Sequence, residues 1–551
     1  MAAGAYRYQG QSALWLWTLA LLAGWGTRKL WAVGQGPGEG LACLSSALLA
    51  LLCVRLSWWG LVAHDTRQLL KRVQRASRQR PDALGKAEPA SRKVTRRAGM
   101  EKAGGIFLGE HPPGRELFFH GEGSVTVIAP PGAGKTTAFA VQNLLRLPLG
   151  TSALVLDPKL EQYSVCKADL ERRGFRVLLI SPWWETFAEE FGGRVDSRDD
   201  GFDPCSFLDA SNASVIDHCT LLASLLIPQP PKGGTETEDF FRDFSISILV
   251  AFMLLELDRA GSVTLPRLRR MVMAPEEKVE ADIAAMLASE AFSGVLAEYG
   301  ARLYSPKMNA PKEWSGGVSG AMKALRLYDA HGPLGRSVEK AGVDFRTVKD
   351  GKTVVFFAQP AETMDTHKGY TAAVLILAME MLARDRRKAP VILLADEIQN
   401  TPAALVPVLK GIALYRGTGL QFICLFQFLA AIKRHVGDAW REFLSVDVVA
   451  AMGVPADPET LQILSRLSGE TTARTSNYSS EAQRLALGEL SAGMSSQEVA
   501  RPLLTSDDIR TMDQKEMLVF VRGMPLIRAR KQSYLDNKEL RRRAAPNPYY
   551  V

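Results

Sequence analysis

The stretch VTVIAPPGAGKTT, Val125 to Thr137, decides the fold. A β-branched run, Val125 to Ile128, enters a Pro/Gly turn, and a helix-forming run opens at Lys135. Strand, glycine turn and helix, in that order, curl backbone N–H groups around phosphates at a helix N-terminus. Gly132 and Gly134 permit the curl, and Pro131, Ala133 and Thr137 complete the loop. In this reading Lys135 bridges the β- and γ-phosphates of ATP and the Thr136 hydroxyl ligates Mg²⁺. Ala129 stands where such loops usually open on glycine, which is tolerable if its φ stays negative.

A second stretch, VILLADE from Val391 to Glu397, reads as the other half of the same site. It is a buried apolar strand delivering carboxylates at its C-terminal end, where open α/β sheets bind ligands. Asp396 is expected to hold the Mg²⁺ shell and Glu397 to polarise the attacking water. A non-enzymatic membrane scaffold that only binds nucleotide would not need Lys135, Thr136, Asp396 and Glu397 together.

With 551 residues, 47% of them hydrophobic and 23% charged, the chain can bury two or three cores and is not disordered. Tyr8 to Thr27 carries no charge, and Gly40 to Ala63 carries only Arg55. Each is long enough to cross a bilayer, so residues 1–63 are expected to form a transmembrane hairpin. Between Arg67 and Arg97, 11 Lys/Arg face only Asp82 and Glu88, so this segment accounts for the whole net charge of +8. By the positive-inside rule, the bulk of the chain is then cytoplasmic, with the basic run gripping anionic headgroups. Six cysteines without CxxC spacing and seven histidines without a ligand pattern argue for reduced thiols and against a structural metal.

Beyond a linker (64–103), apolar strand candidates follow at Ser152 to Leu156, Arg176 to Ile180, Thr353 to Ala358, Val391 to Ala395, Gln421 to Phe426, Val448 to Met452 and Met517 to Val521. Residues 208–335 read instead as helices, which explains why Lys135 and Asp396 stand so far apart. The expectation is a RecA-like α/β core, 104–207 with 336–535, carrying an inserted all-α domain, with a basic tail at 536–551. Arg474 to Ser496 is Ser/Ala-rich and reads as an insertion, and the tail reads as frayed. The inserted segment holds 16 Asp/Glu against 12 Lys/Arg, a surface suited to polypeptide signals and unsuited to phosphate backbones.

Several motifs in one order resemble the coupling-protein ATPases of type IV secretion and conjugation, the TraG/TraD-like family. They are GIFLG at Gly105, VLDPKLEQY at Val155, FDP at Phe202, LLADE, the run from Arg416 to Gln427, ADPETLQILSRLSGETT at Ala456 and RPLLTSDDI at Arg501. The resemblance implies a membrane-anchored homo-hexameric ATPase that recruits secreted effectors or relaxase-type proteins, with or without DNA, to secretion-channel components in the inner membrane. It also implies roles for two residues: Arg416 as an arginine reaching a neighbouring subunit's site, and Gln427 as a γ-phosphate sensor. Asp157 and Lys159 are expected to be structural partners near the site. A DNA-segregation translocase shares the core, but the 28 residues after Gly523 are too few for the C-terminal module of that class. Leu467-Ser468-Gly469-Glu470 looks like a transporter-ATPase signature, yet it follows the acidic strand where that family places it before.

Overall fold

Among the described residues, eleven strands form one mixed sheet in the order β2-β1-β13-β12-β9-β3-β8-β7-β4-β6-β5. They are β1 Ile106–Glu110, β2 Glu116–Phe119, β3 Val125–Ile128, β4 Ser152–Leu156, β5 Arg176–Ile180, β6 Thr353–Phe357, β7 Val391–Ala395, β8 Leu420–Phe426, β9 Val448–Met452, β12 Glu516–Val521 and β13 Ile527–Arg530; β10 Glu470–Tyr478 and β11 Met494–Pro502 pair separately. The computed structural model describes residues 85–549 apart from 197, 228–234, 365, 388, 455–456 and 479–493, together with residues 25, 48, 51, 52 and 55. The chain divides into a larger compact unit, Ala87–Thr471 with Arg501–Val551, and a smaller one of the described residues before Ala87 with Thr472–Ala500. The sheet belongs to the larger unit.

The strands from β9 to β5 run parallel, and β12, β13, β1 and β2 extend that sheet antiparallel. A parallel sheet must be covered on both faces, which is why these strands read as unbroken apolar runs. The alternation divides them cleanly. Leu154, Leu156, Val355, Phe357, Leu393 and Phe422 face one core, while Ala153, Val155, Val354, Phe356, Leu394 and Ile423 face the other. The edge strands β1, β2 and β13 escape the sequence reading because they are four or five residues long and each carries a charged residue.

All described secondary structure between β5 and β6 is helical. Its centre is the Glu236–Ala260 helix, opened by a Thr235/Glu238 capping box and buried almost without break from Phe244 to Leu257. The Pro311–Leu325 helix lies close against it because Gly317 leaves room: a Cβ there would sit 2.2 Å from Phe244. The apolar residues of these helices join the same core as one face of the sheet. Part of the acidic surface read from the sequence is answered internally. Lys307 meets Glu276 at 2.8 Å and Glu280 at 3.3 Å, and Asp282 is buried on Arg259 at 2.7 Å.

Two segments read as linker and frayed tail are packed. Ala90, Thr95 and Met100 are buried, and the Ala90 amide donates to Leu526. In the tail, Arg543 forks onto the buried Asp169 at 3.0 and 2.8 Å, and Asn547 donates to Glu161 at 2.6 Å. Charge counts missed this because Arg543 answers a buried acid and the Leu145 carbonyl rather than solvent. Apart from residues 25, 48, 51, 52 and 55, the expected membrane hairpin lies outside the described residues, among which no helix is long and apolar enough to cross a membrane. The middle of the Ser/Ala-rich stretch, 479–493, lies outside them too. The LSGE turn is structural: Ser468 is buried and its hydroxyl accepts from the Leu504 amide.

Candidate functional site

β3 ends at Ile128, beside Ala451 of β9 and Phe426 of β8. Strand order therefore brings the loop after β3 to the same rim as the residues that end β7 and β8. Gly132 and Gly134 take φ of 75° and 80°, values an L side chain resists, whereas Ala129 is absent from the residues with positive φ. The helix that follows opens at Thr136 and continues as Val141–Leu145. Pro131 is exposed, Ala133 is buried, and the Thr137 hydroxyl returns to the Gly134 carbonyl at 3.3 Å.

At this rim the charged residues answer one another. Lys135 Nζ lies 2.8 Å from Glu397 Oε1, with both side chains about one-tenth exposed. The same oxygen accepts from Lys159 Nζ at 3.1 Å and from Gln427 Nε2 at 3.0 Å, while Oε2 accepts from Asn400 at 3.2 Å. Glu397 itself adopts a left-handed backbone, φ 49°, an arrangement that tight surroundings must enforce. Burial pushes the Glu397 carboxyl upward, but Lys135 and Lys159 overcome it and hold the group below its ordinary range.

Asp396 lies one residue back and is almost wholly buried. Its Oδ2 accepts from Gln162 at 3.1 Å and stands 3.5 Å from the Thr136 hydroxyl, whereas Oδ1 takes no hydrogen bond among the described residues. Burial raises its carboxyl to about 6 against the pull of Lys135. A buried carboxylate oxygen without a partner, beside a threonine hydroxyl, is an oxygen donor set that fits a hard divalent cation. Asp157 ends β4 and accepts from the Glu161 and Tyr163 amides at 3.1 and 2.8 Å; burial, its largest influence, carries it to about 8.

Of the residues singled out from sequence, Lys135, Thr136, Asp396, Glu397 and Gln427 are brought together. Arg416 is not. It sits in the turn before β8, at the opposite end of that strand, and pairs with Asp447 at 3.0 Å. Seven residues of extended strand separate the two rims by roughly 23 Å. Gln162, Asn400 and Lys531 were missed. Lys531 Nζ donates to the Ala133 carbonyl at 2.7 Å, and the Tyr534 amide donates to Thr137, so the strand-end after β13 straps the phosphate loop. Gln162 lies within the VLDPKLEQY motif, and β4 beside β7 carries it to Asp396; Lys531 had no sequence signal.

The fold and rim together define a P-loop α/β protein whose nucleotide motifs converge. The model of the family described as Type IV secretory system Conjugative DNA transfer matches residues 85–549, and the chain belongs to that family. It is 22% identical over 439 residues to Conjugal transfer protein TraG of Agrobacterium fabrum, covering 77% of this chain and 62% of that protein. Over 498 residues it is 22% identical to Conjugal transfer protein TraG of Escherichia coli, covering 84% and 73%. A shorter match, 29% identical over 178 residues, is to Protein VirD4 of Rhizobium rhizogenes and covers 31% of this chain and 25% of that one. Among solved structures, the unbound bacterial conjugative coupling protein TrwB superposes with a TM-score of 0.55 at 15% identity, over 80% of this chain and 92% of that one. TrwB in complex with ADP and Mg²⁺ gives 0.54 at 15% identity, over 81% and 94%. At that identity the likeness is one of fold.

Proposed function

We propose that this chain is the coupling ATPase of a type IV secretion or conjugation apparatus, recruiting protein or nucleoprotein cargo to the channel and driving its transfer by ATP hydrolysis. The observation that carries this reading is the convergence of Lys135, Thr136, Asp396, Glu397 and Gln427 on one rim, in a chain of the conjugative DNA transfer family. Thr136 and Asp396 would hold Mg²⁺, which supplies charge neutralisation at the phosphates when bound. The Gly132–Thr137 loop seats the phosphates, and Lys135 leaves Glu397 to meet them. Glu397 then takes a proton from water as the water oxygen attacks the γ-phosphorus and the bond to the β-phosphate oxygen breaks. Gln427, already within 3.0 Å of Glu397, reports the γ-phosphate to β8.

Arg416 acts on a neighbour in this proposal, because its own site lies a full strand-length away. Its helix supports an assembled state: Pro402–Leu414 leaves Val406 and Leu414 exposed, Leu414 at 70%, on the segment leading from Glu397 to Arg416. A homo-hexamer anchored in the bacterial inner membrane by residues 1–63 would cover that helix and present the helical segment 208–335 as the substrate-facing domain. Secretion-channel components and relaxase-type or effector proteins are then the partners, with DNA held by the sheet-bearing core or delivered attached to protein. The test is ATP turnover by the full chain in detergent, with and without DNA, alongside transfer in cells. A chain that binds ATP–Mg²⁺ but never hydrolyses it, while still supporting transfer, would overturn the motor reading.

A further inference from the structure

We propose that Lys159 is a positioning residue that keeps Glu397 aimed at the attacking water after Lys135 has moved to the phosphates, and that the C-terminal tail holds Lys159 in place. This rests on Glu397 being the base. In the structure Glu397 Oε1 has three donors, Lys135, Lys159 and Gln427, at 2.8, 3.1 and 3.0 Å. Nucleotide claims Lys135, so the carboxylate must turn on what remains. Of the remaining donors to that oxygen only Lys159 is a cation, so it adds to its hydrogen bond a Coulombic attraction that the neutral Gln427 amide lacks.

The turn that presents Lys159 is built for a fixed direction. Asp157, buried at the end of β4, accepts two backbone amides from the start of the following helix. Leu160 is held at φ 55°, a left-handed conformation that a leucine adopts only under constraint. The Tyr549 hydroxyl donates to the Lys159 carbonyl at 3.1 Å, and Asn547 donates to Glu161, so the tail grips the turn on both sides of Leu160. Tyr549 is itself seated edge-on against Phe191, with ring centroids 5.2 Å apart. The Lys159 side chain is about half exposed, so removing its charge spares the core.

The experiment is steady-state ATP hydrolysis by the full chain in detergent, with binding of a fluorescent ATP analogue measured in parallel. Lys159→Met should lower kcat about 10- to 100-fold with KM and analogue affinity unchanged, and Lys159→Arg should restore most of it. Tyr549→Phe, which keeps the ring and loses the hydroxyl, should lower kcat a few-fold in the native background and nothing further beside Lys159→Met. A raised KM with intact kcat would make Lys159 a phosphate ligand and overturn the proposal. Equal impairment of the Met and Arg variants, or full activity of both, overturns it as well. Glu397→Gln in the same assay separates the layers: turnover by that variant fails the base assignment, whereas an inert Glu397→Gln beside a fully active Lys159→Met fails this inference alone.

Discussion

At the carboxyl ends of β3, β7 and β8, the charged side chains find their partners within one chain; at the amino ends of β8 and β9, Arg416 and Arg522 share a single partly exposed acid, Asp447, at 3.0 and 4.0 Å. The first rim closes on itself around the buried Lys135–Glu397 pair, and in the proposed mechanism its chemistry starts when nucleotide displaces one of those contacts. The second is open and carries Arg416, more than half exposed, beside a helix that leaves Val406 and Leu414 facing solvent. In the proposed mechanism one rim is the site for nucleotide and the other the surface for a second copy. Everything expected below follows from keeping those roles apart.

The largest effect should come from the closed rim. Lys135→Ala is expected to abolish turnover and ATP binding together, because the lysine that meets the phosphates is gone. Glu397→Gln should also stop hydrolysis yet bind ATP more tightly than the native chain. In the nucleotide-free site Lys135 is spent on Glu397, and a neutral amide frees it. A gain of about tenfold in affinity corresponds to roughly 1.4 kcal/mol, modest for releasing a mostly buried ion pair. Equilibrium binding of a labelled ATP analogue decides it, and weaker binding by the glutamine variant would mean the ion pair prepares the loop instead of restraining it.

Next in size is the open rim. Arg416→Ala should lower turnover by about 10³-fold while leaving nucleotide affinity near native, as for arginines supplied in trans. Mixing it with Lys135→Ala should recover turnover in mixed assemblies, since each variant supplies what the other lacks. Failure to recover despite shown co-assembly would return Arg416 to a surface ion pair with Asp447 and erase the contrast between rims.

Much of the closed rim was legible because its chemistry is carried by contiguous motifs at strand ends, where strand, turn and helix announce themselves locally. Lys135, Thr136, Asp396 and Glu397 were readable for that reason, whereas Gln427 came only from the family resemblance. Lys159 was seen but taken as a structural partner; its contact with Glu397 depends on β4 lying beside β7, a fact of sheet order that no local pattern encodes. Lys531 and Tyr549 were illegible, because a tail returning across the fold to touch a loop some 400 positions earlier leaves no periodicity. The same holds for the short edge strands, whose identity comes from pairing and not from their own composition.

A smaller effect tests whether the exposed stripe is covered by a neighbour. Leu414→Asp places a charge where Leu414 is exposed, so the folded chain should tolerate it within about 0.5 kcal/mol. Assembly, read by sedimentation across a concentration series, should nonetheless weaken, and turnover should become steeply dependent on protein concentration. Unchanged sedimentation and turnover would leave the stripe as ordinary exposed apolar surface and move the interface elsewhere.

The smallest expected change in turnover concerns the turn that holds Arg416. Lys349 is almost wholly buried, and its ammonium donates to the carbonyls of Asp385 at 2.8 Å, Thr418 at 2.5 Å and Leu382 at 3.4 Å. Burial lowers its pKa, and the carbonyls around it repay part of that cost. Two of the three carbonyls belong to the Lys368–Arg384 helix and the residue after it, and the third lies two positions past Arg416, so the lysine ties the arginine's turn to a buried helix. The Tyr415 hydroxyl makes a second tie, to Glu380 at 2.5 Å. Lys349→Met keeps an unbranched apolar stem and removes the charge, leaving the Thr418 and Asp385 carbonyls short of a donor. Losing a buried charged hydrogen-bonding hub of this kind costs about 2–4 kcal/mol, so the denaturant midpoint should fall. Nucleotide affinity should hold, since the closed rim lies at the other end of the strands, while turnover should drop only a few-fold as Arg416 loses its fixed direction. Loss of ATP binding in a folded Lys349→Met chain would show that the two rims are mechanically one.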